Sequence, residues 1–133
     1  MTATRAVLDA GDVERSMGVD PIDGLLAQLE ATREAWATGA ALYGPGGTFD
    51  NLRKVKLSIV ECSIRDEKAE KGEKVTEASI EQQAHADLAY TAWLDNHTVA
   101  RANWLRLDAE REDVRMRINR GQAVLRSAAN FLG

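Results

Sequence analysis

From Thr76 to Leu132 the chain runs without a proline and with a single glycine, Gly121. Along it Tyr90, Trp93, His97, Ala100, Trp104, Leu107, Arg111, Val114, Ile118, Gly121, Leu125, Ala128 and Leu132 recur at alternating spacings of three and four. All but His97 and Arg111 are apolar or small. A mean step of 3.5 residues is the coiled-coil period, which keeps a narrow stripe facing a partner helix over a long distance. Thr76 is a natural N-cap with Glu77 in the first turn, so the pattern predicts one helix over 76–132. At about 1.5 Å per residue it would be roughly 80 Å long, more than a chain of 133 residues covers by itself. The excess needs a partner, and from about Trp104 onward the seam can be covered only by the chain's own first helix or by other copies. Trp93, Trp104, Leu107, Val114, Ile118 and Leu125 are the predicted oligomer interface. His97 and Arg111 are the places where register would be specified, His97 by pairing across that interface or with Asp95.

Before this segment two shorter helices are legible. Residues 1–19, punctuated by Gly11, Ser16 and Gly18, hold no sustained period and read as a mobile or loosely docked arm. Asp20 and Pro21 suit a helix start, and Ile22, Leu26, Leu29, Trp36, Ala40 and Tyr43 share one face, with Arg33 as its charged member; this predicts a helix over 20–43. Gly44-Pro45-Gly46-Gly47 cannot continue it. A second helix over 48–71 would turn Leu52, Val55, Ile59, Cys62 and Ala69 inward, broken by Asp66. Gly72 suits its C-terminus and Lys71 its dipole. The short connection that follows favours antiparallel packing, with Val55 and Ile59 near Trp93 and Ala89. Strands are not expected, because alternation never lasts and β-branched and aromatic residues are sparse. The predicted class is all-α: a single helical domain, a long helical hairpin with a coiled-coil-like C-terminal helix, packed as a homo-oligomer.

Composition narrows what such an assembly does. No apolar run approaches the roughly 20 residues of a membrane span, and the N-terminus, with Asp9, Asp12 and Glu14 after Arg5, lacks the form of a secretory signal. Cys62 is the only cysteine, which excludes an internal disulfide and suits a reducing cytoplasm. The net charge of −4 argues against nucleic acid as a partner, but its distribution is uneven. Residues 51–74 carry seven cations against five acids, and 101–126 seven against four. Two zones are locally basic inside an acidic total.

Enzymatic constellations are thin. The glycine cluster at 44–47 lacks the Lys-Ser/Thr of a P-loop and the spacing of a dinucleotide fingerprint. Cys62 lies on an apolar stripe without a base nearby in sequence, and His85 and His97, twelve residues apart, are out of register for a shared metal. Glu67-x-x-Glu70 and Glu110-x-x-Asp113 resemble the acidic pairs with which all-α nucleotide pyrophosphohydrolases hold Mg²⁺. Glu67 and Glu70 are also flanked by Lys68 and Lys71, as fits an exposed helix face. Trp93 and Trp104 could stack bases but at heptad positions read first as packing anchors. No catalytic residue, metal or cofactor is predicted, and the chain reads as a non-enzyme.

The basic residues remain. Arg53, Lys54 and Lys56 open the second helix, and Arg65, Lys68, Lys71 and Lys74 flank the turn after it. In a ring or bundle each recurs in every copy, and such a track holds phosphates by counterion release. A helix ending in Leu42-Tyr43, a charged second helix, a turn, an acid-led helix with His85-Ala86-Asp87, then Trp104 and an Arg120-Gly121 step together resemble the UvsY-type recombination mediators of tailed phages. The likeness spans residues 22–130. It implies a small helical oligomer in the host cytoplasm that binds single-stranded DNA, contacts recombinase and single-strand-binding protein, and helps load the first while displacing the second. The family's DNA-binding cations lie late in the helix before the turn, where Arg65, Lys68 and Lys71 stand here, interrupted by Asp66, Glu67 and Glu70. The other readings are a protein-only helical adaptor or inhibitor of a host protein, and the Mg²⁺-dependent pyrophosphohydrolase.

Overall fold

The computed structural model describes residue 18 and residues 20–132, the last by its backbone only. The arm predicted over 1–19 lies outside the described residues except at Gly18. Among the described residues the regular structure is entirely α-helical: α1 (Ile22–Tyr43), α2 (Phe49–Glu70), α3 (Glu77–Ala86) and α4 (Leu88–Leu132). None of these helices is long and apolar enough to cross a membrane.

The helix ends follow local chemistry. Leu25 N–H donates to the Pro21 carbonyl at 3.2 Å, so α1 starts where proline's fixed φ is already helical. Gly46, at φ +74°, turns the chain between α1 and α2 in a conformation that side chains avoid. At the other end of α2, Glu73 N–H donates to Lys68 O and Gly72 N–H to Ala69 O, with Gly72 at φ +67°. This is the Schellman arrangement, which satisfies two carbonyls that the helix end would leave bare. Thr76 caps α3, its hydroxyl accepting from Ser79 N–H at 3.1 Å.

The helix expected to run unbroken over 76–132 is interrupted at Asp87, whose backbone is extended (φ −61°, ψ 128°). Asp87 N–H closes α3 on Ala84 O, while its carboxylate accepts from Tyr90 N–H at 2.8 Å and its carbonyl from Thr91 N–H at 2.9 Å. A short acidic side chain competes for the N–H groups of the following turn, so the chain restarts as a new capped helix. Periodicity alone did not reveal this, because the seam residues begin only at Tyr90.

The chain forms two compact units. The first unites α1 up to Ala37 with α4 from Arg106 onward. Leu25 and Ile118 are buried in it, and Ile22 lies against Gly121. Arg111, 6 % exposed, donates from Nη1 to Leu29 O at 2.6 Å and to Thr32 Oγ1, and its guanidinium carbon sits 5.4 Å from the centre of the Trp36 ring. Trp36 Nε1 donates in turn to Asp108 Oδ1 at 2.8 Å. Arg111, expected to specify a pairing between copies, is thus held inside its own chain by carbonyl, hydroxyl and indole. The second unit spans residues 38–105. Its buried side chains are Ile80, Ala84, Tyr90 and Trp104, the last seated over Gly39, where no side chain intervenes.

One expectation about α2 is reversed. Leu52, Val55 and Ile59, predicted to face inward, are 41, 56 and 60 % exposed, and Cys62 and Ala69 are also exposed. The partly covered face carries Phe49, Leu57, Val60 and Ile64 instead. The helix has two apolar stripes about 140° apart at 3.6 residues per turn, and Phe49 decides between them by stacking on Trp93, ring centroids 6.0 Å apart and planes 23° apart. An aromatic pair adds about 0.5–1.5 kcal/mol beyond its buried area, which the Leu52 stripe has nothing to match.

Candidate nucleic-acid interface

Within the second unit the ends of α1 and α2 and the start of α4 bring five rings together. Tyr43 and Phe49 flank the Gly44–Gly47 link, and Phe49 lies 4.9 Å from the His97 ring and 6.0 Å from Trp93. Trp93 stacks in parallel fashion on Tyr90 as well, at 6.0 Å, and touches His97 at 4.5 Å. Tyr43 Oη and His97 Nδ1 share a hydrogen bond of 2.6 Å. His97 therefore finds its partner within its own chain, in place of Asp95 or a second copy. Burial pushes the Tyr43 hydroxyl above the ordinary tyrosine range, so it stays protonated at any physiological pH.

Cations border this cluster. Lys56 Nζ lies 5.9 Å from the Trp93 ring centre, close enough for a cation–π attraction. Arg53 is half-buried and Lys54 exposed, one turn or less from Lys56 on α2. Arg101, from α4, lines a concavity of about 170 Å³ with Tyr43, Gly47, Phe49 and Asp50. Among the described residues Arg53, Lys54 and Lys56 make no ion pair. Their charge is available to a phosphate without first displacing a carboxylate.

The turn after α2 differs. Arg65 pairs with Glu77 and, at 3.9 Å, with Glu61; Lys68 pairs with Glu73 at 2.8 Å and Lys71 with Glu67 at 3.0 Å. Hydrogen bonding to Lys68 and Arg65 holds the Glu73 and Glu77 carboxyls below the usual glutamate range, and bonds to Glu77 and Glu67 raise the Arg65 and Lys71 cations above theirs. The turn is an alternating-charge cluster, and Lys74, exposed, is its cation without an ion pair among the described residues.

The remaining candidates are dispersed. Trp104 and Ile118 are buried in the single chain, and Trp93, Leu107, Val114 and Leu125 are half-buried, so of the six proposed interface residues these four keep surface for a second copy. Glu67 is tied to Lys71 and Asp113 to Arg117 at 3.1 Å. Among the described residues no three His, Cys, Asp or Glu side chains gather as metal ligands would. Phe49 and Tyr43 were missed as site residues; the signal was available in two aromatics bracketing a glycine link, a common way to pin a turn. No family model matches the chain, no curated protein matches it, and no solved structure matches it.

Proposed function

We propose that this protein is an oligomeric, single-stranded-DNA-binding accessory of recombination or replication, a mediator acting beside a recombinase and a single-strand-binding protein. One observation carries the reading: the unpaired cations Arg53, Lys54 and Lys56 sit beside a stacked aromatic cluster centred on half-buried Trp93. Cations that track phosphates and a ring that accepts a base are the two components of sequence-independent single-strand binding. The paired turn cations Arg65, Lys68 and Lys71 take the secondary role, because each contact there competes with a carboxylate already in place. Homo-oligomerisation repeats the site and raises a weak affinity by multivalency.

Titration of a fluorescent single-stranded oligonucleotide at two salt concentrations tests the proposal. Arg53→Ala/Lys54→Ala/Lys56→Ala is expected to reduce the dependence of log affinity on log salt by about two, at about 0.7 per phosphate contact, and Arg65→Ala/Lys68→Ala/Lys71→Ala by less. Absence of binding even at low salt refutes the DNA reading. The second reading, a protein-only adaptor, draws on the exposed Leu52, Val55 and Ile59 and the net charge of −4; it gives partner complexes with no DNA affinity.

A further inference from the structure

In the unit formed by α1 up to Ala37 and α4 from Arg106, one buried charge lacks a counter-charge. Arg111 is 6 % exposed and makes no ion pair among the described residues. Asp108, three residues before it, accepts from Trp36 Nε1 instead. The hydrogen bonds of Arg111, to Leu29 O and Thr32 Oγ1, both leave from Nη1. Nε is sealed from water and has no partner, and Nη2 makes no hydrogen bond among the described residues either. Nε–H and Nη2–H are the side-on edge of a guanidinium, two parallel donors spaced to match the oxygens of one carboxylate. A buried cation satisfied by neutral groups alone departs from the rule that buried charges are paired.

Arg111 also forms part of the wall of a cavity of about 410 Å³ between α1 and α4. That volume falls within the roughly 300–1,000 Å³ of small-molecule sites, which combine an apolar lining with a few placed polar groups. Leu29, Leu107 and Val114, each half-buried, supply the apolar wall. Exposed Glu110, Asp113 and Arg117 stand at its edge. Asp113 accepts from Arg117 Nε at 3.1 Å, so those two charges offset each other, whereas Glu110 makes no ion pair among the described residues.

We propose that this cavity binds a small monocarboxylate with an aliphatic body, its head held by the Nε–Nη2 edge of Arg111 and its body laid against Leu29, Leu107 and Val114. The two oxygens of the head satisfy both donors and supply the missing counter-charge. One negative charge is enough, and the Glu110 carboxylate at the edge opposes a second, which favours a monocarboxylate over a phosphate dianion. The Trp36 ring, its centre 5.4 Å from the guanidinium carbon, fixes the plane of the fork before a ligand arrives. The site shares no residue with the cationic face of α2, and it does not rest on DNA binding.

Calorimetric titration of the full chain with hexanoate is expected to show saturable binding that weakens about two- to fourfold for each methylene removed along the series to acetate. Hexanol and hexylamine, which lack the anion, and inorganic phosphate, which lacks the body, are expected to bind at least about tenfold more weakly. Arg111→Lys keeps a charge without the planar fork and should weaken hexanoate about tenfold. Two variants at exposed positions, with folding checked by circular dichroism, test the site whether or not Arg111→Lys folds. Ala31→Phe places a ring at the cavity wall and should weaken hexanoate about tenfold, while Glu110→Gln removes the opposing charge and should strengthen it about twofold. Absence of saturable hexanoate binding overturns the proposal, as does hexanol or hexylamine bound as tightly as hexanoate. Phosphate bound more tightly than hexanoate overturns the monocarboxylate class. Hexanoate affinity unchanged in both Ala31→Phe and Glu110→Gln places the binding elsewhere and overturns the site.

Discussion

Three glycines on the long helices receive the same added methyl group in three different surroundings, and the fold predicts a different outcome for each. In a helix interior, replacing glycine by alanine stabilises by about 1 kcal/mol through backbone entropy. Among the described residues a Cβ on Gly24 meets nothing within 4 Å, so Gly24→Ala is expected to realise about 0.5–1 kcal/mol. A Cβ on Gly121 would lie 3.5 Å from Ile22 Cγ1 and 3.6 Å from its Cδ1, ordinary contact, and Gly121→Ala should gain a similar amount. Gly39 is the contrary case. Its Cβ would fall 2.6 Å from Trp104 Cγ and 2.8 Å from Trp104 Nε1. Trp104 is only 8 % exposed, and its rigid indole has no flexible end to move aside. Overpacking of that kind costs about 1–3 kcal/mol, occasionally more, and exceeds the helical gain. The net expectation for Gly39→Ala is a loss of about 1–2 kcal/mol, or a Tm lowered by roughly 3–6 °C per kcal/mol. Thermal and urea unfolding of the three variants is the assay. In a Trp104→Leu background the penalty of the alanine should shrink, giving a coupling energy of about 1 kcal/mol. If Gly39→Ala stabilises as the other two do, Trp104 does not pack on α1 as described and the argument fails.

Asp87→Ala removes the carboxylate that caps α4 and should cost about 1 kcal/mol in urea unfolding, while Asp87→Asn, which keeps the acceptor, should recover most of it. Tyr43→Phe leaves His97 Nδ1 without its hydroxyl and should cost about 1 kcal/mol; equal stability of the two chains would show that the 2.6 Å hydrogen bond contributes nothing net. The Glu73 and Glu77 carboxyls are depressed in the fold, so their stabilisation is present above the ordinary glutamate pKa and is lost as pH falls through the lowered folded value. Glu77→Gln should therefore be less stable than wild type at neutral pH and low salt, and the difference should vanish in acid and in concentrated salt. A difference that persists in acid would assign it to packing.

Much of the fold was legible because its main signals are local. Gly72 and Thr76 marked their helix ends, and from Tyr90 to Ala128 every seam residue but Ala100 is buried or half-buried, as the 3.5-residue period implied. Whether the first helix or another copy covers the seam beyond Trp104, and through which residues, was not legible. Leu29 and Thr32 on α1 answer Arg111, and Gly39 receives Trp104, contacts between residues too far apart in sequence for any period to pair. On α2 the sequence held two stripes of similar hydropathy. The choice lay with a single ring–ring contact between Phe49 and Trp93. The candidate site followed the same division: its cations were evident, but which were neutralised depended on Glu73 and Glu77 folding back across the turn.

A helix with two apolar stripes about 140° apart can be rolled into its unit by either one. With the ring at position 49 removed, the balance tips toward the Leu52 stripe, and a roll of that size would carry Lys56 away from Trp93 and turn the free stripe inward. A change at Phe49 alone would then silence the cationic face, although that residue carries no charge.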